Sequence, residues 1–277
     1  MEKKFFVDEV VMELNERGYS AESKEVMKNG VAYTGVTIGD GTVKPNIYID
    51  SFYDKGVSVR DTAEKVIEIA ESHKLSDDVA DHVTSFLNDK DFCLENVKIV
   101  CSKANTYQDY INRQENGITL TMVIDLSKAD TERMTCRVAP QLLSLIGVSE
   151  EELWERAKAN TEKDVEVKGM FDTLKEMMGY DPSIMDESED DKMLVVSNHS
   201  KCNGAYAVFT DTAKAEIKKR MNVDEVIVIP SSIHECIVVP RTEEMSMDAI
   251  AQMIMEVNTN EVAEEDILSD SPIAMAI

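Results

Sequence analysis

The run VIVIPSSIHECIVVP, Val226 to Pro240, holds two β-branched segments around a polar knot. Val226–Ile229 and Ile237–Val239 have the composition of buried strands, and Pro230 and Pro240 close them at positions where proline is tolerated. Between them stand Ser231, Ser232, His234 and Glu235, more reactive side-chain types than any other apolar stretch of the chain contains. Read as extended chain from residue 232, Ser232, His234, Cys236 and Val238 share one face, while Ile233, Glu235, Ile237 and Val239 share the other. On that reading His234 and Glu235 point apart and form no simple acid–base pair. Glu235 then lies among aliphatics, which requires a solvated strand end, backbone N–H partners or a cation. The plain alternative is a polar turn between two strands with its hydrogen bonds satisfied.

Outward from this run, Met193–Ser197 and Ala205–Phe209 read as extended segments separated by the polar Asn198–Gly204. A helix follows from residue 211 or 212 to Met221, with Lys218, Lys219 and Arg220 placed to complement its C-terminal dipole. Another helix carries Met247, Ile250, Ala251, Ile254 and Val257 on one stripe. Residues 193–260 are therefore expected to form a ββαββα unit, with an acidic tail over 261–277. Upstream, residues 181–192 are rich in acid and poor in apolar residues, and read as a loop or linker. The middle unit, 91–180, has strands at Val97–Cys101, Ile118–Leu126 and Met134–Val138. A short helix is expected at Tyr107–Asn112, a helix opened by Pro140 and one capped by Ser149. The N-terminal unit, 1–90, begins with a helix whose Phe6, Val7, Val10, Val11 and Leu14 fall on one face. Strands around Ser23–Met27 and Val31–Ile38 flank an Asn29-Gly30 turn, and Asn46–Ile49 supplies a third. A helix spans Val59–Ser72. Runs of strands and helices without βαβ alternation indicate an α+β fold, with mixed or mainly antiparallel sheets and packed amphipathic helices.

Charge narrows the function. The chain has 277 residues and a net charge of −25, from 54 acids against 29 bases. A phosphate-binding surface needs clustered Lys and Arg, so nucleic acid and an anionic membrane face are both poor partners. No apolar run approaches the ~18 residues of a membrane span, and no signal-peptide core follows the N-terminus. Five scattered cysteines, an odd number, read as reduced thiols of a cytoplasmic protein.

Familiar catalytic signatures are absent from the sequence: no Gly-x-Ser-x-Gly elbow, no phosphate-binding glycine loop, no Cys-x-x-Cys. Ser231, Ser232, His234 and Glu235 stand as catalytic candidates, with Asn198 as a ligand-binding candidate. If the two polar knots meet, His199, Cys202, His234 and Cys236 supply the ligand types of a closed zinc site. Nothing in the sequence brings them together, and the expectation is no metal and no cofactor. His73 and His82 lie in or beside amphipathic helices and read as surface residues.

Several segments resemble one family. They are Met193–Asn198, Gly204-Ala205, Pro230–Glu235, Val239-Pro240 and Glu256–Asn258, together with Lys28–Val31 and Pro45–Ile49. The pattern is similar to that of the domain-of-unknown-function 5688 family, and His199 and Cys202 are not part of it. The resemblance implies a bacterial, Firmicutes source and implies no activity. The expected function is a non-catalytic binding or interaction protein with an acidic surface, its partner a protein or a small molecule. The alternative is a small hydrolase or transferase built on Pro230–Glu235.

Overall fold

The computed structural model describes residues 1–40, 44–72, 78–127, 134–178 and 192–277. The acidic stretch at 181–191 and His73 lie outside the described residues. The chain divides into two units, Met1–Phe86 and Leu87–Ile277. Every strand pairing among the described residues is antiparallel, and the fold is α+β.

In the first unit, α1 (Lys3–Glu16) precedes β1 (Ala21–Lys28), β2 (Val31–Ile38) and β3 (Asn46–Tyr48), which pair in that order. The short α2 (Asp50–Asp54) leads to α3 (Val59–Ser72). Amphipathic spacing explains the assembly. Phe6, Val10 and Leu14 of α1 and Ala63, Val66 and Ala70 of α3 are buried with Val36, Ile38 and Ile47 on one sheet face. The other face carries Tyr33 and Tyr48, ring centroids 5.3 Å apart, with the Lys28 ammonium 4.1 Å from the Tyr48 centroid. Helix α4 (Asp78–Asn88) spans the boundary between the units, and His82 on it is exposed.

The second unit contains α5 (Lys90–Asn96), β4 (Val97–Lys103), β5 (Asn112–Glu115), β6 (Ile118–Asp125) and β7 (Thr135–Arg137). Strand β6 is central: β4 pairs along one side, while β5 and β7 pair end to end along the other. The helix expected at Tyr107–Asn112 is instead a turn followed by β5, because Asn112–Glu115 find a ladder partner in β6. Helices α6 (Pro140–Ile146) and α7 (Glu150–Glu162) begin where proline and Ser149 mark them; Ser149 Oγ accepts from Glu152 N at 3.1 Å. Helix α7 also satisfies β4. Asn160 Nδ2 donates to Leu94 O and Val97 O, each at 2.9 Å, and Thr161 Oγ1 accepts from Ile99 N at 3.1 Å.

The remaining elements are β8 (Val165–Gly169), α8 (Met170–Met178), β9 (Leu194–Asn198), α9 (Asp211–Met221), β10 (Glu225–Pro230), β11 (Cys236–Pro240), α10 (Met247–Asn260) and β12 (Ile273–Ala276). Their strands form one sheet, ordered β12-β10-β11-β9-β8. Four features differ from the sequence reading. Ala205–Phe209 is a 3-10 turn, since its Ala205, Ala207 and Val208 bury against the core without joining a strand. The acidic tail ends in β12, which pairs with β10, so the C-terminal element is a strand and not a solvated extension. Residues read as a middle unit contribute β8 to the same sheet, so the segments at 91–180 and 193–277 belong to one unit. On α10 the expected stripe holds at Met247, Ile250, Ala251 and Ile254, which are buried or half-buried, but Val257 is 47% exposed and Asn258 is buried instead.

Candidate functional site

Strands β10 and β11 pair from Val226↔Pro240 to Pro230↔Cys236, which leaves Ser231–Glu235 as a five-residue turn. The strand alternation expected from Ser232 therefore starts only at Cys236, with Cys236 and Val238 buried. Inside the turn, Ser232 N donates to Glu235 O at 3.2 Å, and Ser232 Oγ accepts from His234 N at 3.0 Å. That bond is a local serine turn in which the hydroxyl holds the backbone of residue i+2.

The turn is gripped from two distant segments. The Asn198–Gly204 loop reaches it, so the two polar knots meet. Gly204 N donates to His234 O at 3.0 Å, Ser197 Oγ donates to the same oxygen at 2.8 Å, and Ala205 N donates to Ile233 O at 3.2 Å. From the other side, Ile233 N donates to Asp266 O at 2.8 Å. Gly204 is required by this approach. A Cβ there would lie 2.5 Å from Ser197 Oγ, 2.6 Å from Asn198 N and 2.8 Å from His234 O.

His234 is hydrogen-bonded at Nδ1 and faces a carboxylate at Nε2. Nδ1 accepts from Asn203 N at 3.0 Å, so the neutral ring carries its proton on Nε2, 3.3 Å from Asp266 Oδ1. A ring whose acceptor nitrogen is already engaged has no lone pair with which to take a serine proton. Among the described residues, neither Ser231 Oγ nor Ser232 Oγ is hydrogen-bonded to a histidine ring or a carboxylate. Asn198 is likewise engaged. Its Oδ1 accepts from Cys202 N at 3.2 Å and Ser200 Oγ at 3.0 Å, and its Nδ2 donates to Cys202 O at 2.9 Å.

Glu235 is half-buried at the end of the turn, the solvated strand-end solution among those open to it. Lys201, which ion-pairs with Glu166, is the cation in its field: burial lowers the Lys201 pKa and Glu235 opposes that shift. Cys236 is buried with Sγ 3.7 Å from Ala205 O, and burial, helped by the Glu235 charge, pushes its thiol up to about 12. Such a thiol is neutral at physiological pH and serves neither as nucleophile nor as ready metal ligand.

The zinc set does not converge. His199 Nδ1 lies 2.9 Å from Asp164 Oδ1, His234 is occupied as described, and Cys236 is packed in the core. Among the described residues, no group of three or more His, Cys, Asp or Glu side chains is placed to hold a metal ion.

Beside the Asn198–Gly204 loop, a cavity of about 20 Å³ is lined by Lys98, Asp164, Asn198, Cys202 and Gly204, among others. That is room for roughly one water molecule. A larger recess, about 240 Å³, lies elsewhere in the unit beside Arg113, Glu115, Trp154, Glu155, Lys158 and Tyr206. There the Arg113 guanidinium sits 4.4 Å from the Trp154 centroid. Burial pushes the Tyr206 phenol up to about 12, which keeps it neutral. Asn203, Asp164 and Asp266 were not legible as site residues. Asp266 lies 32 positions from His234 in a segment whose composition reads as tail, and no local pattern links the two.

Among the described residues, no helix is long and apolar enough to cross a membrane. No curated protein and no solved structure matches the chain. The model of a family of unknown function, DUF5688, matches residues 3–273, nearly the whole length, and the chain belongs to that family.

Proposed function

We propose that this chain is a cytoplasmic, non-catalytic binding protein whose acidic surface selects a basic protein partner over nucleic acid. The observation that carries this reading is the internal engagement of the Pro230–Glu235 turn. Nδ1 of His234, the Asn198 amide and the Ser197 hydroxyl are spent on hydrogen bonds that hold the fold, and His234 Nε2 faces the Asp266 carboxylate at 3.3 Å. A hydrolase or transferase needs a free base beside its nucleophile and a cleft for substrate. The cavity beside the Asn198–Gly204 loop admits about one water. The charge of −25 supports the choice of partner, because it repels phosphate and attracts cationic surfaces. An odd number of scattered cysteines, five in the chain, supports a reducing compartment.

The test is chemical. A serine-directed fluorophosphonate is expected to leave the intact mass unchanged. One equivalent of adduct on Ser231 or Ser232, abolished by His234→Ala, would overturn the reading in favour of a hydrolase.

A further inference from the structure

Helix α10 is held to the fold by little of its surface. Ser246 caps it, accepting from Ala249 N at 3.3 Å, and of its 14 residues only Ile254 and Asn258 are buried. Asn258 Nδ2 ties it to the segment before β12, donating to Asp270 Oδ1 at 2.8 Å and Ser269 O at 3.2 Å. Beside that buried ridge, Ala249, Met253 and Val257 recur at i, i+4 and i+8 and form an apolar flank. Met253 is 50% exposed and Val257 47%, and Met245, just before the helix, is also exposed.

The segment that carries this flank has charge of one sign along the sequence. From Thr242 to Ile277 there are nine carboxylate side chains and no Lys, Arg or His. Asp248 and Glu256 lie on α10 itself, and Glu243, Glu244 and Glu261 lie just beyond its ends. Methionine makes a polarizable, adaptable apolar surface, and such a surface in an acidic segment complements a helix that is apolar on one side and cationic on the other.

We propose that the Ala249–Met253–Val257 flank of α10 docks a basic amphipathic helix of a partner protein. Its apolar side chains would pack on Met253 and Val257, and its Lys or Arg residues would meet the carboxylates. This rests on the binding-protein reading and names the partner class. A second copy of this chain is the poorer occupant, because it would bring two all-acidic surfaces together.

The probes are two fluorescent peptides of about 20 Leu and Lys residues, identical in composition. One has leucines at i, i+3, i+4 and i+7, and the other is scrambled. At ~0.1 M salt, anisotropy is expected to show the patterned peptide binding the full chain at least about tenfold more tightly than the scrambled one. The charge-preserving double variant Met253→Gln/Val257→Gln changes two exposed positions, and it is expected to abolish that preference with thermal unfolding unchanged. If both peptides bind alike and the double variant changes nothing, the docking flank is refuted while an acidic binding protein stands. If neither peptide binds, both readings fall. A dimer in sedimentation that the double variant dissociates would assign the flank to a second copy and overturn the proposal.

Discussion

The β1–β2 and β10–β11 hairpins reverse the chain by different means. In the first, Asn29 (φ 47°) and Gly30 (φ 85°) make a two-residue turn with both residues in the left-handed region. That geometry matches the twist of paired strands, and asparagine followed by glycine is the pair best able to adopt it. In the second, five residues span Pro230 to Cys236, and their backbone groups are satisfied by Ser197, Gly204, Ala205 and Asp266. The first turn is specified by its own residues. The second is specified by the segments that surround it, so substitutions far along the chain should disturb it.

Gly204→Ala gives the largest effect that sharpens this contrast. Its Cβ would press on Ser197, Asn198 N and His234 O, and the clash is expected to cost about 3 kcal/mol. The only tryptophan, Trp154, lies in the same unit, so its fluorescence in a urea titration reports the loss. A shift below about 0.5 kcal/mol, within the range of ordinary surface substitutions, would show that the turn relaxes freely and that its distant contacts are dispensable.

Gly30→Ala tests the local turn. Placing a Cβ at φ 85° should cost about 1–2 kcal/mol. Because Gly30 lies in the Met1–Phe86 unit, the change is expected in the far-ultraviolet circular dichroism melt, with the Trp154 transition unmoved. A Trp154 shift as large as that of Gly204→Ala would erase the distinction between the hairpins.

The smallest effect concerns Asp164, which steadies the start of the Asn198–Gly204 loop by accepting from His199 N at 3.3 Å. Burial alone would raise its pKa, but hydrogen bonds from Lys98 and His199 outweigh burial and hold the carboxyl below the usual value of 3.8. The folded state therefore binds fewer protons than the unfolded chain. The resulting stability is present above the ordinary carboxylate pKa and disappears as pH falls through the folded one. Asp164→Asn should lower stability at pH 7 by about 0.5–1 kcal/mol and flatten the decline below about pH 4. Parallel acid limbs for the two proteins would mean that Asp164 does not couple this loop to pH.

Legibility followed the range of the forces involved. Helix α3 occupies Val59–Ser72 as expected, and its apolar Ala63, Val66 and Ala70 are buried. The expected cap Ser149 begins its helix, accepting from Glu152 N at 3.1 Å, while the cap Thr210, which accepts from Ala213 N at 3.2 Å, was not read from the sequence. Ala205–Phe209 was not legible, because a short apolar run serves a strand or a buried turn equally well. Strand β12 was not legible either: Ile273–Ala276 is a strand because β10 offers it an edge. The site divides in the same way. Its polar residues were visible in Ser231, Ser232, His234, Glu235 and Asn198, but their partners were not.

By itself, the sequence determined the α+β class, the amphipathic helices, the Asn29-Gly30 turn and the net negative charge, since composition and periodicity within about ten residues suffice for these. Only the tertiary structure decided that the Asn198–Gly204 loop closes on Pro230–Glu235, that Asp266 returns to Ile233 and His234, and that His234 Nδ1 and the Ser232 hydroxyl are engaged within the fold. The reason is physical: a buried turn must satisfy its backbone groups, and here the satisfying groups come from segments about 30 residues away on either side.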